Sequence, residues 1–257
     1  MNTLVFDIET VPDTALGRRL YALHDLSDEH VGKLMFAKRL QETGSEFLSH
    51  EQQRVIAISV VMRSRDTLKV WSLGDEKSTE KELIERFFEG LDKYTPDLVS
   101  WNGAGFDLPV LHYRSLLHGV TASRYWETGD NDNSFRYSNY LSRFHWRHMD
   151  LMDILSGFQG RGRASLDDIS TLLGFPGKVG MHGADVWGAY LRGELARIRA
   201  YCETDVLNTY LVYLRFELLR GHLTPAEHGH EIARVRKLLG DSTAAHWREF
   251  AAAWRDT

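Results

Sequence analysis

Two carboxylates follow a short apolar run near the start of the sequence, in the stretch LVFDIETVPD from Leu4 to Asp13. Asp7 and Glu9 are two residues apart, so in an extended strand their side chains point to the same face. Two like charges on one face repel each other, which makes the pair costly at the end of a buried strand. The pair either begins a polar loop or holds a cation between its oxygens, and this stretch alone leaves both alternatives open.

Two further carboxylates occur where a fold has little reason to place them. Asp107 ends the stretch WNGAGFD, in which a short apolar strand is followed by two glycines and a helix start. The carboxyl end of a strand is where α/β sheets place their sites, although a charge that offsets a helix dipole explains Asp107 as well. Asp205 lies in YCETD four residues after Tyr201, so the two share one helical face, which we expect to be partly buried. Tyr201 alone also fits a tyrosine at the edge of the core.

The four carboxylates together indicate a metal site. Converging carboxylates take up protons unless a cation lies among them. Sites rich in carboxylate oxygen suit Mg²⁺ or Mn²⁺, and two such ions roughly 3.5–4 Å apart clamp the attacking and leaving oxygens when a phosphodiester is displaced. The sequence therefore predicts two divalent metal ions bound by Asp7, Glu9, Asp107 and Asp205.

The stretches FDIET, NGAGFD and YCETD resemble, in this order, the three motifs of the DEDD 3′→5′ exonucleases. The Tyr-x-x-x-Asp form of the third motif is typical of the branch that carries tyrosine in place of histidine. Within this branch the sequence most resembles the exonuclease domain of family B DNA polymerases and the stand-alone predicted exonucleases related to it. The resemblance covers most of residues 3–220 and implies an α/β, ribonuclease-H-like fold with a mixed five-stranded sheet flanked by helices.

The resemblance also implies a role for each motif residue. Asp7, Glu9 and Asp205 would hold the metal ion that activates water, and Asp7 would reach the second ion, to which Asp107 contributes directly or through water. Tyr201 would orient the attacking water through its hydroxyl. Because a phenol with an ordinary pKa near 10 is a poor base at neutral pH, the metal and not the tyrosine is expected to deprotonate the water.

The expected substrate is the 3′ end of a single-stranded nucleic acid, with DNA favoured over RNA and nucleoside monophosphates as products. By resemblance, Thr10, Asn102 and Phe106 lie near the terminal nucleotide, although Phe106 is equally explained as a core residue. The loop 124–147 interleaves arginines with aromatic residues, as surfaces that stack single strands do, but the same rings could pack down on the sheet. Three cations in glycine-rich loops are candidates for phosphate contacts or for a solvated face: Arg161, Arg163 and Lys178.

The order of predicted elements is strand, helical insertion, hairpin, helix, strand, helix, and a strand leading into helices. The predicted segments are strands at 3–8, 54–63, 67–74 and 96–102, a strand running into a helix at 148–155, an insertion at 14–52, and helices at 78–94, 106–119, 165–174, 184–221, 225–239 and 242–254. Ser78, Ser165 and Gly119 are the expected caps, and the 184–221 segment is expected to split near Gly193. We predict one exonuclease domain over residues 1–257, with 14–52 as an insertion and 221–257 as a C-terminal extension.

Composition limits the classes of function. The net charge of −5 argues against a general binder of nucleic acid, so an anionic partner must be held locally or through metal ions. The single cysteine, Cys202, excludes an intrachain disulfide, and no apolar run is long enough to span a membrane, so we expect a cytoplasmic protein without a nucleotide cofactor. Two rival hypotheses remain: a nucleic-acid-binding module that lacks activity or needs a partner, and an endonuclease on the same fold. Protein partners, the cellular pathway and the choice between DNA and RNA stay open.

Overall fold

A five-stranded mixed sheet forms the centre of the computed structural model, which describes residues 2–255. The strands are β1 (Thr3–Pro12), β2 (Gln53–Arg63), β3 (Leu68–Ser72), β4 (Asp97–Ser100) and β5 (His148–Asp150). They lie in the order β3-β2-β1-β4-β5, with the first three strands antiparallel and β4 and β5 parallel to β1. This arrangement confirms the predicted fold class.

Helices cover both faces of the sheet. They are α1 (Thr14–Tyr21), α2 (Asp28–Thr43), α3 (Glu80–Tyr94), α4 (Asp107–His118), α5 (Leu151–Leu155), α6 (Leu166–Leu172), α7 (Val186–Leu191), α8 (Leu195–Leu219), α9 (Pro225–Asp241) and α10 (Ala245–Ala253). Between residues 2 and 255, none of them is both long and apolar enough to cross a membrane.

The two faces of β1 belong to different cores. Phe6 packs with residues of α3 and α4, whereas Val5 packs with the long helix α8. Val11 belongs to a third cluster that includes Tyr201 of α8. Because side chains alternate along a strand, Asp7 and Glu9 lie between Val5 and Val11 on the face that α8 covers. The central strand therefore delivers two carboxylates into the space between the sheet and a buried helix.

The local signals place most element boundaries correctly. Ser165 caps α6 and Gly119 ends α4, as predicted, and a turn containing Gly193 separates α7 from α8. The predicted cap of α3 at Ser78 is wrong, because Thr79 caps that helix and forms a reciprocal capping box with Glu82. The box thus has its ideal spacing, and the sequence assignment was one residue too early.

The predicted insertion at 14–52 folds as α1, α2 and a short turn before β2. Val31, Met35 and Leu48 form a small core of their own within it. Gly32 of α2 lies against the indole of Trp187, and a Cβ at this glycine would come within 2.8 Å of that ring. The insertion is therefore packed against α7 at the end of β1 where the carboxylates lie. The division of the chain into one domain with an insertion and an extension stays a prediction.

Candidate active site at the carboxyl end of the central strand

Helix α8 brings the third motif onto the first. Asp205 and Tyr201 are both buried on the face of α8 that packs on β1. Between them in the sequence, the Cys202 thiol lies 3.5 Å from Oδ2 of Asp7 and 3.5 Å from its carbonyl oxygen. Ligand atoms of Asp7, Glu9 and Cys202 all lie within 4.8 Å of one another. Sequence reasoning missed this thiol as a member of the cluster, because its distance from Asp7 depends on how α8 packs on β1.

Asp107 reaches the cluster from α4, which packs on the face of β1 opposite to α8. It begins α4, is buried, and accepts a hydrogen bond from the backbone N–H of Ile8 through Oδ1 at 3.1 Å. Ile8 lies between Asp7 and Glu9, so this bond joins the first and second motifs directly. The three motifs that are far apart in sequence therefore converge on one point of β1.

The loop that carries Asp107 is fixed by a carboxylate that sequence reasoning missed. Asp150, at the end of β5, accepts hydrogen bonds of 2.9 Å from the backbone N–H groups of Asn102 and Ala104. It also caps α5. Asn102 has a left-handed backbone conformation, with φ of 65°. A Cβ at Gly105 would lie 2.5 Å from the Asn102 side-chain oxygen, so a larger residue at this position would require the Asn102 side chain to move.

Burial and mutual repulsion make the carboxylates hard to ionise together. Burial raises the pKa of Asp7 well above its ordinary value, and the charges of Asp107, Glu9 and Asp205 raise it further. Burial also raises the pKa of Glu9; the charge of Asp205 raises it further, and the charge of Lys178 lowers it. The carboxylates of the cluster therefore repel one another when they are ionised.

The pKa values of the other two carboxylates, Asp107 and Asp205, are also raised. Burial raises the pKa of Asp107 to about 7, despite the hydrogen bond from Ile8. Burial raises the pKa of Asp205 to about 6, although a hydrogen bond with Tyr201 and the charge of Lys178 lower it. Without a counter-charge, the cluster would hold protons near neutral pH.

The donor set fits divalent metal ions. Oδ1 of Asp205 is buried and has no hydrogen-bond partner among residues 2–255, which is costly for an ionised oxygen unless a cation fills the position. Four carboxylates, of which Glu9, Asp107 and Asp205 are buried and Asp7 is partly buried, supply the hard oxygen ligands that Mg²⁺ and Mn²⁺ prefer. The cluster is therefore a candidate site for such ions.

Tyr201 is held in its neutral form. Burial raises the pKa of its hydroxyl, and the charges of Asp205 and Glu9 raise it further. The phenol therefore remains a hydrogen-bond donor at any pH at which the protein works. This agrees with the expectation that Tyr201 positions a water and does not deprotonate it.

A cavity of about 690 Å³ opens beside the cluster. It is lined by residues of the first motif, the second motif, the insertion and the loop before α7. These include Glu9, Thr10, Phe106, Phe47, Lys178 and His182. The rings of Phe47 and Phe106 lie 5.2 Å apart, and Phe106 is half-buried, so it both joins the core and faces the cavity. The contribution of Phe47 was not foreseen, because nothing in the sequence indicates where the insertion folds back.

The other residues expected to bind the substrate lie in different surroundings. The Thr10 hydroxyl lines the cavity and donates to the side-chain oxygen of Gln53 at 2.9 Å. Asn102 lies in the loop that precedes Asp107. In the loop 124–147, three aromatic residues pack into the core, namely Tyr125, Phe135 and Tyr140, whereas four others are exposed, namely Trp126, Tyr137, Phe144 and Trp146. The packing alternative therefore holds for the three buried rings, and stacking of a single strand on the four exposed rings stays a prediction.

Comparison with known proteins agrees with this geometry. Residues 45–254 match a family described as predicted 3′-5′ exonucleases related to the exonuclease domain of PolB. The chain belongs to this family. The matched region contains Asp107, Tyr201 and Asp205, while β1 with Asp7 and Glu9 precedes it.

Two relatives of this exonuclease-family chain are DNA polymerases. A DNA polymerase of Archaeoglobus fulgidus is 24% identical over 207 residues, which cover 79% of this chain and 24% of the polymerase. A solved structure of the family B DNA polymerase from the hyperthermophilic archaeon Pyrobaculum calidifontis aligns with 85% of this chain and 24% of that chain, with a TM-score of 0.51 and 19% identity. The chain thus spans about a quarter of the length of either polymerase, and the structural likeness concerns the fold.

Proposed function

We propose that this chain is a metal-dependent 3′→5′ exonuclease that hydrolyses single-stranded nucleic acid, preferentially DNA, and releases nucleoside monophosphates. The family membership supports the reaction type. The observation that carries the proposal for this chain is the convergence of four carboxylates, three of them buried and Asp7 partly buried. One of the buried ones, Asp205, has a buried oxygen without any hydrogen-bond partner in the described structure.

The proposed cofactors are two divalent metal ions, Mg²⁺ or Mn²⁺, held by Asp7, Glu9, Asp107 and Asp205. When bound, such ions activate a water molecule and stabilise the charge on the attacking and leaving oxygens. Ligand atoms of Asp7 and Glu9 lie within 4.8 Å of each other, and Asp107 is hydrogen-bonded to the backbone between them, which supports metal positions along the Asp7–Glu9 segment.

The chain's own residues would bind the substrate and fix the attacking water. Tyr201 donates a hydrogen bond from a phenol that stays protonated, so it orients the water without taking its proton. Lys178 lines the cavity close to Glu9 and Asp205 and supplies a positive charge for a phosphate. Phe106 and Phe47 offer rings on which the terminal base would stack, with Thr10 beside them.

The test is hydrolysis of end-labelled single-stranded and double-stranded DNA and RNA with Mg²⁺, with Mn²⁺ or with a chelator. We expect mononucleotides to be released stepwise from the 3′ end of single strands, fastest from DNA. The chelator is expected to abolish this release. Cleavage at internal positions would identify an endonuclease. Binding without hydrolysis under all metal conditions would identify an inactive binding module.

A further inference from the structure

Two neighbouring segments of this acidic chain carry only positive charge. Residues 133–149 and 154–166 contain five arginines and no aspartate or glutamate, in a chain with a net charge of −5. Two of these arginines have structural roles: Arg163 pairs with Asp153 at 2.6 Å, and Arg147 lies over the Phe135 ring and donates to the Ser138 carbonyl oxygen. The charges of the others remain available for a partner outside the chain.

Arg143, Phe144 and Phe158 form an exposed surface, here named the Phe144–Phe158 surface, and the exposed Arg161 follows Phe158 by three residues. The guanidinium of Arg143 lies 5.0 Å from the centre of the Phe144 ring and 5.3 Å from that of Phe158, and the two rings are 6.1 Å apart. Phe144 is 71% exposed and Phe158 is 36% exposed. Across residues 2–255, no carboxylate lies within ion-pair distance of Arg143 or Arg161. Large exposed rings beside uncompensated cations are typical of a binding surface.

The backbone holds Phe158 outward. Phe158 has a left-handed conformation, with φ of 59°, directly after Gly157 with φ of 60°. Its N–H donates to the Asp153 carbonyl oxygen at 2.7 Å. A bulky residue rarely adopts this conformation, and it persists only where the surroundings impose it. The turn therefore presents the ring to solvent instead of burying it.

The surface is connected to the active-site loop through a short rigid path. Asp150 binds the backbone of Asn102 and Ala104 and also caps α5, the helix that leads to Phe158. Five helical residues span on the order of 7 Å. Since β4 and β5 are parallel, the segments that follow them leave from the same edge of the sheet. Phe158 thus lies one short helix beyond the residue that holds the loop leading to Asp107.

We propose that the Phe144–Phe158 surface binds the single strand several nucleotides upstream of the 3′ end. Bases stack on Phe144 and Phe158, and Arg143 and Arg161 contact the phosphates. This inference rests on the proposed exonuclease function, which supplies the strand. The chemistry of the surface, stacking rings with interleaved cations, is that of sequence-independent recognition of single strands.

The test compares Phe144→Ala and Phe158→Ala with the wild-type protein on fluorescent oligo-dT of 20 and of 4 nucleotides. Binding is measured by anisotropy with a chelator present, so that the strand stays intact, and hydrolysis is measured separately with Mn²⁺. We expect each variant to bind the 20-mer about 5- to 100-fold more weakly. The affinity for the 4-mer and its rate of hydrolysis are expected to remain unchanged, because the short strand does not reach the surface.

Tyr94→Ala is the matched control. Tyr94 is exposed and stacks with Lys93 at 5.1 Å, but it ends α3 beside Asn2, at the opposite edge of the sheet from the site. This variant is expected to bind both oligomers as the wild type does.

Three outcomes would overturn the assignment. They are an unchanged affinity of Phe144→Ala for the 20-mer, an equal loss for the 4-mer, and an equal loss in Tyr94→Ala. If the wild type hydrolyses neither oligomer but the length-dependent loss of binding is observed, the proposed exonuclease function fails and the surface assignment stands.

Discussion

The backbone N–H of Ile8 donates a hydrogen bond of 3.1 Å to Oδ1 of Asp107. This bond orients the carboxylate of the second motif by means of the strand that carries the first. After burial, the charge of Asp107 is the largest contribution to the raised pKa of Asp7. The relative position of two motifs a hundred residues apart thus depends on one main-chain group.

Asp107→Asn is expected to make the metal-free protein more stable at neutral pH. The amide oxygen can still accept from Ile8, so the geometry is kept while the charge is lost. Burial raises the pKa of Asp107 to about 7, so its folded form retains a proton that the unfolded chain releases near pH 4. The free energy of unfolding of the wild type should therefore fall between pH 4 and pH 7, by at most about 1.4 kcal/mol per pH unit for this group.

Urea unfolding of the wild type and of Asp107→Asn in a chelator, at pH 5 and pH 7.5, measures this effect. Burial lowers the pKa of His148 and of His112 to about 4, so both favour the opposite pH trend. These contributions are common to the two proteins and cancel in the difference. A difference that does not change with pH would contradict the raised pKa of Asp107.

Asp7→Asn and Asp205→Asn should each abolish hydrolysis without unfolding the protein. Each substitution removes a negative charge from a cluster of like charges, so the free energy of unfolding in a chelator should be unchanged or increased. The increase in melting temperature on adding Mn²⁺ should be lost together with activity. Glu76→Gln, which alters an exposed carboxylate in the turn before α3, is the control. Near-normal turnover in either aspartate variant would show that the site is wrongly assigned.

Tyr201→Phe should keep metal binding and lose rate. The hydroxyl makes a hydrogen bond with Asp205, and removing one positioned donor costs on the order of 100-fold in turnover. The increase in melting temperature with Mn²⁺ should match that of the wild type. Because the pKa of the phenol is raised, the alkaline part of the rate profile should have the same shape in both proteins. Unchanged turnover would remove the proposed role of Tyr201.

Phe47→Ala should weaken substrate binding more than it slows the reaction. The Phe47 ring contacts Phe106 and lines the cavity, and loss of a base-stacking ring costs about 1–3 kcal/mol. We therefore expect the KM for single strands to rise at least about fivefold with little change in kcat. Leu40→Ala, which alters an exposed position on α2 in the same insertion, should leave both unchanged. A KM equal to that of the wild type would remove Phe47 from the substrate cavity.

The sequence predicted the sheet and the carboxylates because both depend on local patterns. Alternation in β1 places Asp7 and Glu9 on one face, and the i, i+4 spacing aligns Tyr201 with Asp205, whatever the rest of the chain does. Long-range packing has no such local signature. The contact of Phe47 with Phe106 requires the insertion to fold back on the site, which no spacing reveals.

The role of Asp150 also depends on long-range packing that the sequence does not reveal. Its position at the end of a three-residue strand looks like an ordinary helix cap, and it is one. Its bonds to Asn102 and Ala104 arise only because β4 and β5 are neighbours in the sheet. The position of Cys202 in the cluster was missed for a similar reason, since its distance from Asp7 depends on how α8 packs on β1.

Arg114 of α4 joins the structural elements around the site through a buried ion-pair network. Its side chain is 5% exposed and binds Asp13, directly after β1, and Glu80, at the start of α3. Glu80 also accepts a hydrogen bond of 2.7 Å from the backbone N–H of Val55 on β2. The network therefore fixes the helix that begins with Asp107 against the end of the central strand.

Arg114→Met should reduce the free energy of unfolding by roughly 3–5 kcal/mol, because it removes the guanidinium from two buried carboxylates and leaves Glu80 only His118, at 2.7 Å, as a partner. Urea unfolding measures this loss, and Arg86→Met, on the exposed side of α3, should change stability by less than about 0.5 kcal/mol. Adding Asp13→Asn and Glu80→Gln to Arg114→Met should restore part of the loss, since the unpaired charges are then gone. Additive effects of the three substitutions would contradict a coupled network and would indicate that Arg114 acts through packing of its aliphatic stem alone.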